Sequence, residues 1–305
     1  MAQEAVRRAQ LDAWHAVAGG WERRRALIWD ATSAVSHRMV DLLEPRPGEE
    51  LLEVAAGTGD TGLLAAGRVL PGGRLLSTDA VPDMVDAARR RARELGRENV
   101  EFAVTDAVEL ALDDASFDGA LCRFGVMLVP DCAAATRELT RVLRPGGRVA
   151  VAVWAESDRN PWMTAAGRAA LRLGLAERPD PEAPGPFRLA APGRLRALLT
   201  AAGLEVVVEE EVGVTWRASS PEESWEVMLD TSRTLAVLVE SLSPVDLARV
   251  RAGFAERLRG FVDGAGAVAV PGVARVALGV RVGRPGPARL RRHARPGNAG
   301  GQAEA

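Results

Sequence analysis

The run Glu53-Val54-Ala55-Ala56-Gly57-Thr58-Gly59-Asp60-Thr61-Gly62 leaves an apolar strand, turns through glycines and opens a helix. Glycines let a backbone approach a ligand closely, and a helix start offers N–H groups with no intrahelical partner. The spacing Gly57-x-Gly59-x-x-Gly62 fits a dinucleotide fingerprint. Asp79, at the end of the next strand, stands near the distance expected of a ribose-binding carboxylate.

Two further acids bear on the choice of ligand. Glu53 lies near the carboxyl end of its strand, where a pyrophosphate is repelled and a cationic ligand is welcome. Asp106, in Thr105-Asp106-Ala107, closes the third strand. Glu53, Asp79 and Asp106 are expected to converge on one edge of the sheet, which suits a nucleoside carrying sulfonium and ammonium groups. A nicotinamide-dependent oxidoreductase using the same glycine loop is the competing assignment.

Outward from this loop, short apolar strands alternate with helices. Strands are expected at 51–55, 73–78, 100–104, 117–122 and 148–154, with helices at 61–70, 82–95 and 131–143 between them. Continuous apolar strands in this order imply a parallel sheet covered on both faces. Residues 4–43 read as two helices broken at Gly19-Gly20. Beyond Trp154 the pattern gives helices at 162–173 and 192–202, then a long strand at 204–216. Residues 222–261 read as helical, with a split at Ser243-Pro244, and 268–282 as one or two strands turning at Pro271-Gly272.

Composition narrows the chemistry. The 305 residues are 47% hydrophobic, with 39 basic and 41 acidic residues and a net charge of −2, which disfavours a nucleic-acid binder. Every basic residue is Arg, and there is no Tyr, so a Schiff-base lysine, a Walker-A lysine and a Tyr/Lys dehydrogenase dyad are excluded. Cys122 and Cys132 make neither a disulfide framework nor a zinc site. No metal-ligand spacing, secretory leader or membrane span is legible, so a cytoplasmic protein is expected.

The stretches LLEVAAGTGDTG, LLSTDAVPDMVDAAR, VTDAVELALDDASFDGALCRFGVML and ELTRVLRPGGRVAVAVW follow one another over about residues 48–155. In this order they resemble the class I S-adenosylmethionine-dependent methyltransferases, in the group that includes the ubiquinone/menaquinone biosynthesis enzymes. Ala55 stands where that family usually has its first glycine. The resemblance implies an α/β fold: a Rossmann-like doubly wound seven-stranded sheet, mostly parallel with an antiparallel last strand, plus helical lid additions. It implies S-adenosyl-L-methionine as cofactor, held around Glu53, Ala55, Gly57, Thr58, Gly59, Asp79, Ala80, Met84, Asp106, Ala107 and Arg123. Within that set, Gly57 and Gly59 would pass beneath the methionine portion, Glu53 would act near its amino group, and Asp79 would accept the ribose hydroxyls. Met84, Asp106 and Ala107 would meet the adenine, with Arg123 and Phe124 toward the substrate.

Methyl transfer from a sulfonium needs alignment, water exclusion and often a base. His37 and His15 are the candidate bases. The expected organisation is a helical lid over 1–45, a cofactor-binding core over 46–155, and the rest of the sheet over 156–282. Cap insertions at about 156–190 and 217–265 and a disordered basic tail over 283–305 complete it. Trp14, Trp21, Trp29, Trp154, Trp162, Trp216 and Trp225 lie outside the first four strands and either line a planar apolar site or pack the core. The expected acceptor is a small molecule, apolar or aromatic. Neither nucleic acid nor membrane is an expected partner, a homodimer is compatible, and a non-catalytic methyltransferase-like module is a further alternative.

Overall fold

Leu51, Leu52, Glu53 and Val54 are all buried, as is every residue from Val149 to Trp154. Strands without an exposed face belong inside a covered parallel sheet. The structure, a computed structural model, describes residues 2–283. It begins with helices α1 (Ala2–Arg23) and α2 (Arg25–Leu43). Then β1 (Glu50–Val54), α3 (Asp60–Ala66), β2 (Arg74–Asp79), α4 (Pro82–Glu94) and β3 (Val100–Val104) form the first half of the wind. The second half is β4 (Phe117–Arg123), α5 (Cys132–Val142), β5 (Leu143–Trp154), α6 (Pro161–Arg172), α7 (Arg194–Ala201) and β6 (Leu204–Ala218). Helices α8 (Pro221–Thr231), α9 (Arg233–Ser241) and α10 (Pro244–Leu258) precede the last strand, β7 (Val268–Arg281).

The seven strands are ordered β3-β2-β1-β4-β5-β7-β6. All neighbouring pairs among the first five are parallel, whereas β7 runs antiparallel to both β5 and β6. This is the expected seven-stranded, mostly parallel sheet with one antiparallel final strand. The chain winds outward from β1 to β3, then returns to lay β4 on the other side of β1. That reversal makes the carboxyl ends of β1 and β4 the topological switch point, where open α/β sheets bind ligands.

Several local expectations change. Gly19-Gly20 does not break α1, which runs continuously to Arg23. A Cβ at Gly20 would stand 1.9 Å from the Asp230 carbonyl oxygen in α8, so the glycine permits helix contact. Trp21 Nε1 donates to the Thr231 carbonyl beside it at 3.0 Å. Gly20→Ala should therefore push α1 off α8 and cost about 1–3 kcal/mol, seen as a lower Tm and faster proteolysis within α1. An unchanged Tm would show that the contact is dispensable.

The stretch expected as one or two helices from 222 to 261 is three, because the Ser232 and Ser243 side chains each cap a new N-terminus. Pro271-Gly272 does not turn: β7 is unbroken, and a Gly272 Cβ would press on Asn160 Oδ1 at 2.7 Å. The two helices of the first 45 residues pack in different places. In α2, Val35, Met39, Val40 and Leu43 are fully buried in the main core. Helix α1 instead builds a separate small core, its Ala18, Leu11, Trp14 and Trp21 packing on Val81 and Met84. The basic tail lies, from residue 284 onward, outside the described residues, with His293 in it. Among the described residues no helix is long and apolar enough to cross a membrane.

Candidate active site

The loop after β1 uses its three glycines for three different purposes. Gly57 has φ +56° and a Cβ there would meet nothing within 4 Å, so this backbone opens onto free space. Gly59 has φ +81°, but its missing Cβ makes room for Ala88 of α4, whose Cβ would be 2.8 Å away. Gly62 makes room for Glu53, whose Oε2 would lie 2.2 Å from an added Cβ. Sequence spacing could not separate these demands.

Two residues other than glycine hold left-handed backbone at the switch point. Ala55 has φ +53°, just after β1, and Phe124 has φ +60°, just after β4. Each costs about 1–2 kcal/mol relative to ordinary backbone, and such strain gathers at functional sites. Gly125 accommodates the alanine, because a Cβ there would be 2.4 Å from Ala55 Cβ.

The acids differ in what they face. Asp79 is half-buried; its Oδ2 accepts from Gly57 N at 2.9 Å and its Oδ1 from Val81 N at 3.0 Å. With the Ala80 N–H also directed at it, the carboxylate meets three backbone donors and keeps acceptor capacity for a further partner. Burial raises the Asp79 carboxyl above its ordinary range, while the Val81, Gly57 and Ala80 N–H groups oppose the rise. Asp106 accepts from Val108 N at 3.0 Å and is engaged by the Arg7 guanidinium of α1 at 2.5 Å.

Glu53 corrects the expectation of three acids facing a cationic ligand. It is 2% exposed and turned inward, with Oε1 accepting from Gly62 N at 2.7 Å and Oε2 from the Ser77 hydroxyl at 3.0 Å. It fastens β1 to α3 and β2. Desolvation pushes its carboxyl up to about 8 from an ordinary 4.5, against those two hydrogen bonds. A proton bound more tightly in the folded state stabilises below the unfolded value and is lost through the folded one. Stability contributed by Glu53 should thus be complete below about pH 4.5 and fall as pH rises to about 8. The Tm of Glu53→Gln should lack this component of the slope. Superimposable slopes would show an ionised Glu53.

Sequence reasoning named Arg123 but missed Asp60 and the two arginines that meet it. Asp60, the first residue of α3, is 8% exposed and receives Arg25 Nη1 at 3.1 Å and Arg91 Nε at 3.4 Å, plus Thr58 Oγ1 at 3.0 Å. Arg123 donates to Thr32 Oγ1 at 2.6 Å, with its guanidinium over the Phe124 ring at 5.6 Å. Burial lowers the Arg123 pKa, and the Asp60 and Glu53 charges oppose this. Ser36 and Thr61 share a buried hydroxyl pair at 2.8 Å. An acid opening a helix is a recognisable signal. Its arginine partners come from 35 residues before and 31 after, and no local pattern announces them.

The remaining candidates divide. Thr58 is buried beside Asp60, and Ala80 is half-buried between β2 and α4. Met84 is 3% exposed beneath α1, and Ala107 joins the main core. His15 is solvent-facing, with Nδ1 2.9 Å from Asp83 Oδ2, where it links α1 to α4. His37 is the second candidate base. It is exposed on α2, its ring 5.9 Å from that of Trp29. The tryptophans mostly pack: Phe124 stacks on Trp154 at 4.0 Å, Trp154 meets Trp162 edge-on at 5.5 Å, and Trp162 stacks on Trp216 at 4.5 Å. Trp225 meets Phe254 edge-on at 5.3 Å.

An open glycine turn at the switch point, with an acid at the end of the neighbouring strand, defines a Rossmann-like nucleoside-binding core. Residues 29–166 match the ubiE/COQ5 methyltransferase family. Nocamycin O-methyltransferase of Saccharothrix syringae is 37% identical over 131 residues, covering 41% of this chain and 47% of that protein. Demethylmenaquinone methyltransferase of Thermus thermophilus is 38% identical over 127 residues, covering 42% and 57%. The chain thus spans about half the length of the curated relatives it matches. The YcgJ protein of Bacillus subtilis shares the fold, with a TM-score of 0.54 at 20% identity over 82% of this chain and 98% of that one.

Proposed function

We propose that this protein transfers a methyl group from S-adenosylmethionine to a small-molecule acceptor. The supporting observation is the free space over Gly57, bounded by Asp79 and by the strained Ala55 and Phe124 at the ends of β1 and β4. The residues present suit the cofactor. Gly57 leaves a cradle that any side chain would fill, and the Asp79 carboxylate, with three backbone donors on about four acceptor positions, keeps capacity for a ribose hydroxyl. S-adenosylmethionine supplies, when bound, a methyl group that is already electrophilic.

The chain's own residues bind, orient and exclude water. Asp79 accepts the ribose hydroxyls and, through Gly57 N, holds the turn beneath them. Arg123, fixed by Thr32, offers positive charge at the end of β4. Helix α1 covers the loop after β2 through the small core around Met84. Asp106, Ala107 and Ala80 lie along the same edge for the base. Glu53 and Gly59 act from behind, by packing and by fixing α3. A cleft of about 360 Å³ opens at the carboxyl edge between α2 and the β6/β7 end, lined by Leu27, Asp30, Arg217, Ala218 and Val268 among others. Apolar side chains alternate there with Asp30, Arg217, Glu223 and Asp263, which suits an acceptor carrying both an apolar part and polar groups.

Isothermal titration of the full chain with S-adenosylmethionine, S-adenosylhomocysteine and NADH tests this. Binding of the first two but not NADH is expected, and NADH binding alone would overturn it. Asp79→Ala should weaken S-adenosylmethionine binding by about 5- to 150-fold, the equivalent of about 1–3 kcal/mol. Unchanged affinity would remove Asp79 from the site.

A further inference from the structure

Helices α6 and α10 pack closely where Ala169 faces Gly253: a Cβ on Gly253 would come 3.0 Å from that of Ala169. Arg168 and Arg172 flank Ala169 on α6, and Arg257 follows Gly253 by one turn on α10. Arg168 and Arg257 are half-buried, and Arg172 is exposed. Arg168 donates to Ser157 Oγ at 3.3 Å. Among the described residues none of the three arginines is paired with a carboxylate. The Nε of Arg257 is sealed from solvent without an acceptor. Burial and then the charges of Arg172 and Arg168 lower the Arg257 pKa.

Many other arginines of the chain are matched. Arg159 grips Glu211 at 2.6 and 2.8 Å, Arg194 grips Glu182 at 2.8 Å, and Arg90 grips Glu22 at 2.7 and 2.8 Å. Two acids close in sequence to these groups are engaged elsewhere: Glu256 pairs with Arg259, and Glu156 with Arg275. A helix C-terminus favours a cation, and Arg172 and Arg257 occupy last turns. That preference explains one arginine per helix, not three charges drawn together without an anion. Guanidinium forks in such a cluster match the paired oxygens of phosphate and carboxylate groups.

We propose that Arg168, Arg172 and Arg257 form a binding site for the phosphate or carboxylate group of a small ligand, outside the nucleoside crevice. The anion neutralises cations that the packing of α6 on α10 brings together. Three cations on a chain of net charge −2 are a local receptor and not the broad basic field that a nucleic acid needs.

The test uses the full chain with inorganic phosphate, acetate and chloride at matched ionic strength, read by calorimetric titration and thermal melting. Phosphate or acetate should bind saturably and raise the Tm above the chloride value. Arg257→Gln and Arg172→Gln should each weaken that binding at least tenfold. Without added anion both variants should melt no lower than the wild type, since a repulsion is removed. Equal effects of all three salts, or variants that bind like the wild type, would overturn the site. Sedimentation with phosphatidylglycerol vesicles but no binding of free phosphate or acetate would overturn it too, in favour of a membrane surface.

Discussion

Gly57→Val should reduce S-adenosylmethionine binding by at least about 100-fold while the chain remains folded, the equivalent of about 2.7 kcal/mol or more. Gly57 lies at φ +56° and opens onto unfilled space, so a side chain there meets no protein atom. It enters the volume over the turn that the methionine portion is proposed to occupy. The substitution strains left-handed backbone by about 1–3 kcal/mol, which a domain with the usual 5–15 kcal/mol of stability survives. Calorimetric titration and a melting curve on one sample separate the two effects. Gly57→Ala should lie between valine and the wild type. A folded Gly57→Val chain with intact affinity would place the cofactor elsewhere.

The second large effect falls on stability. Glu53→Ala should cost about 2–4 kcal/mol, because it leaves Gly62 N and the Ser77 hydroxyl buried with no acceptor. Glu53→Gln should cost less than about 1 kcal/mol, since its amide oxygen accepts from Gly62 N and its NH2 donates to Ser77 Oγ. Denaturant unfolding of both variants measures the difference. Equal, small losses would show that Glu53 fastens nothing. Large loss of cofactor affinity in a stable Glu53→Gln would restore it to the ligand side of the loop.

The alternation from Leu51 to Trp154 was legible because period, glycine turns and proline stops agree at each boundary. The run Leu51–Val54 had to be a doubly covered strand, and Gly57 had to turn. The later insertions were harder to read. Ser232 and Ser243 are visible cap residues, yet a long apolar run around them reads equally well as two helices or three. Gly19-Gly20 and Pro271-Gly272 look like breaks because glycine is locally flexible. In the fold they are places where α8 and Asn160 come too close for a side chain.

The site shows the same division. Asp79 was found because it ends a strand that the pattern locates, and its neighbours Gly57 and Val81 are local in the wind. The functions of Glu53, Asp106 and the histidines depended on partners far along the chain: Ser77 for one, Arg7 for another, Asp83 for a third. Sequence by itself determined the strand order's raw material and the glycine turn, because these rest on spacing within one βαβ unit. Only the tertiary structure decided which acids face the crevice, which glycines serve packing, and where the unpaired arginines gather. Burial and charge at a side chain are set by whichever distant segments fold against it.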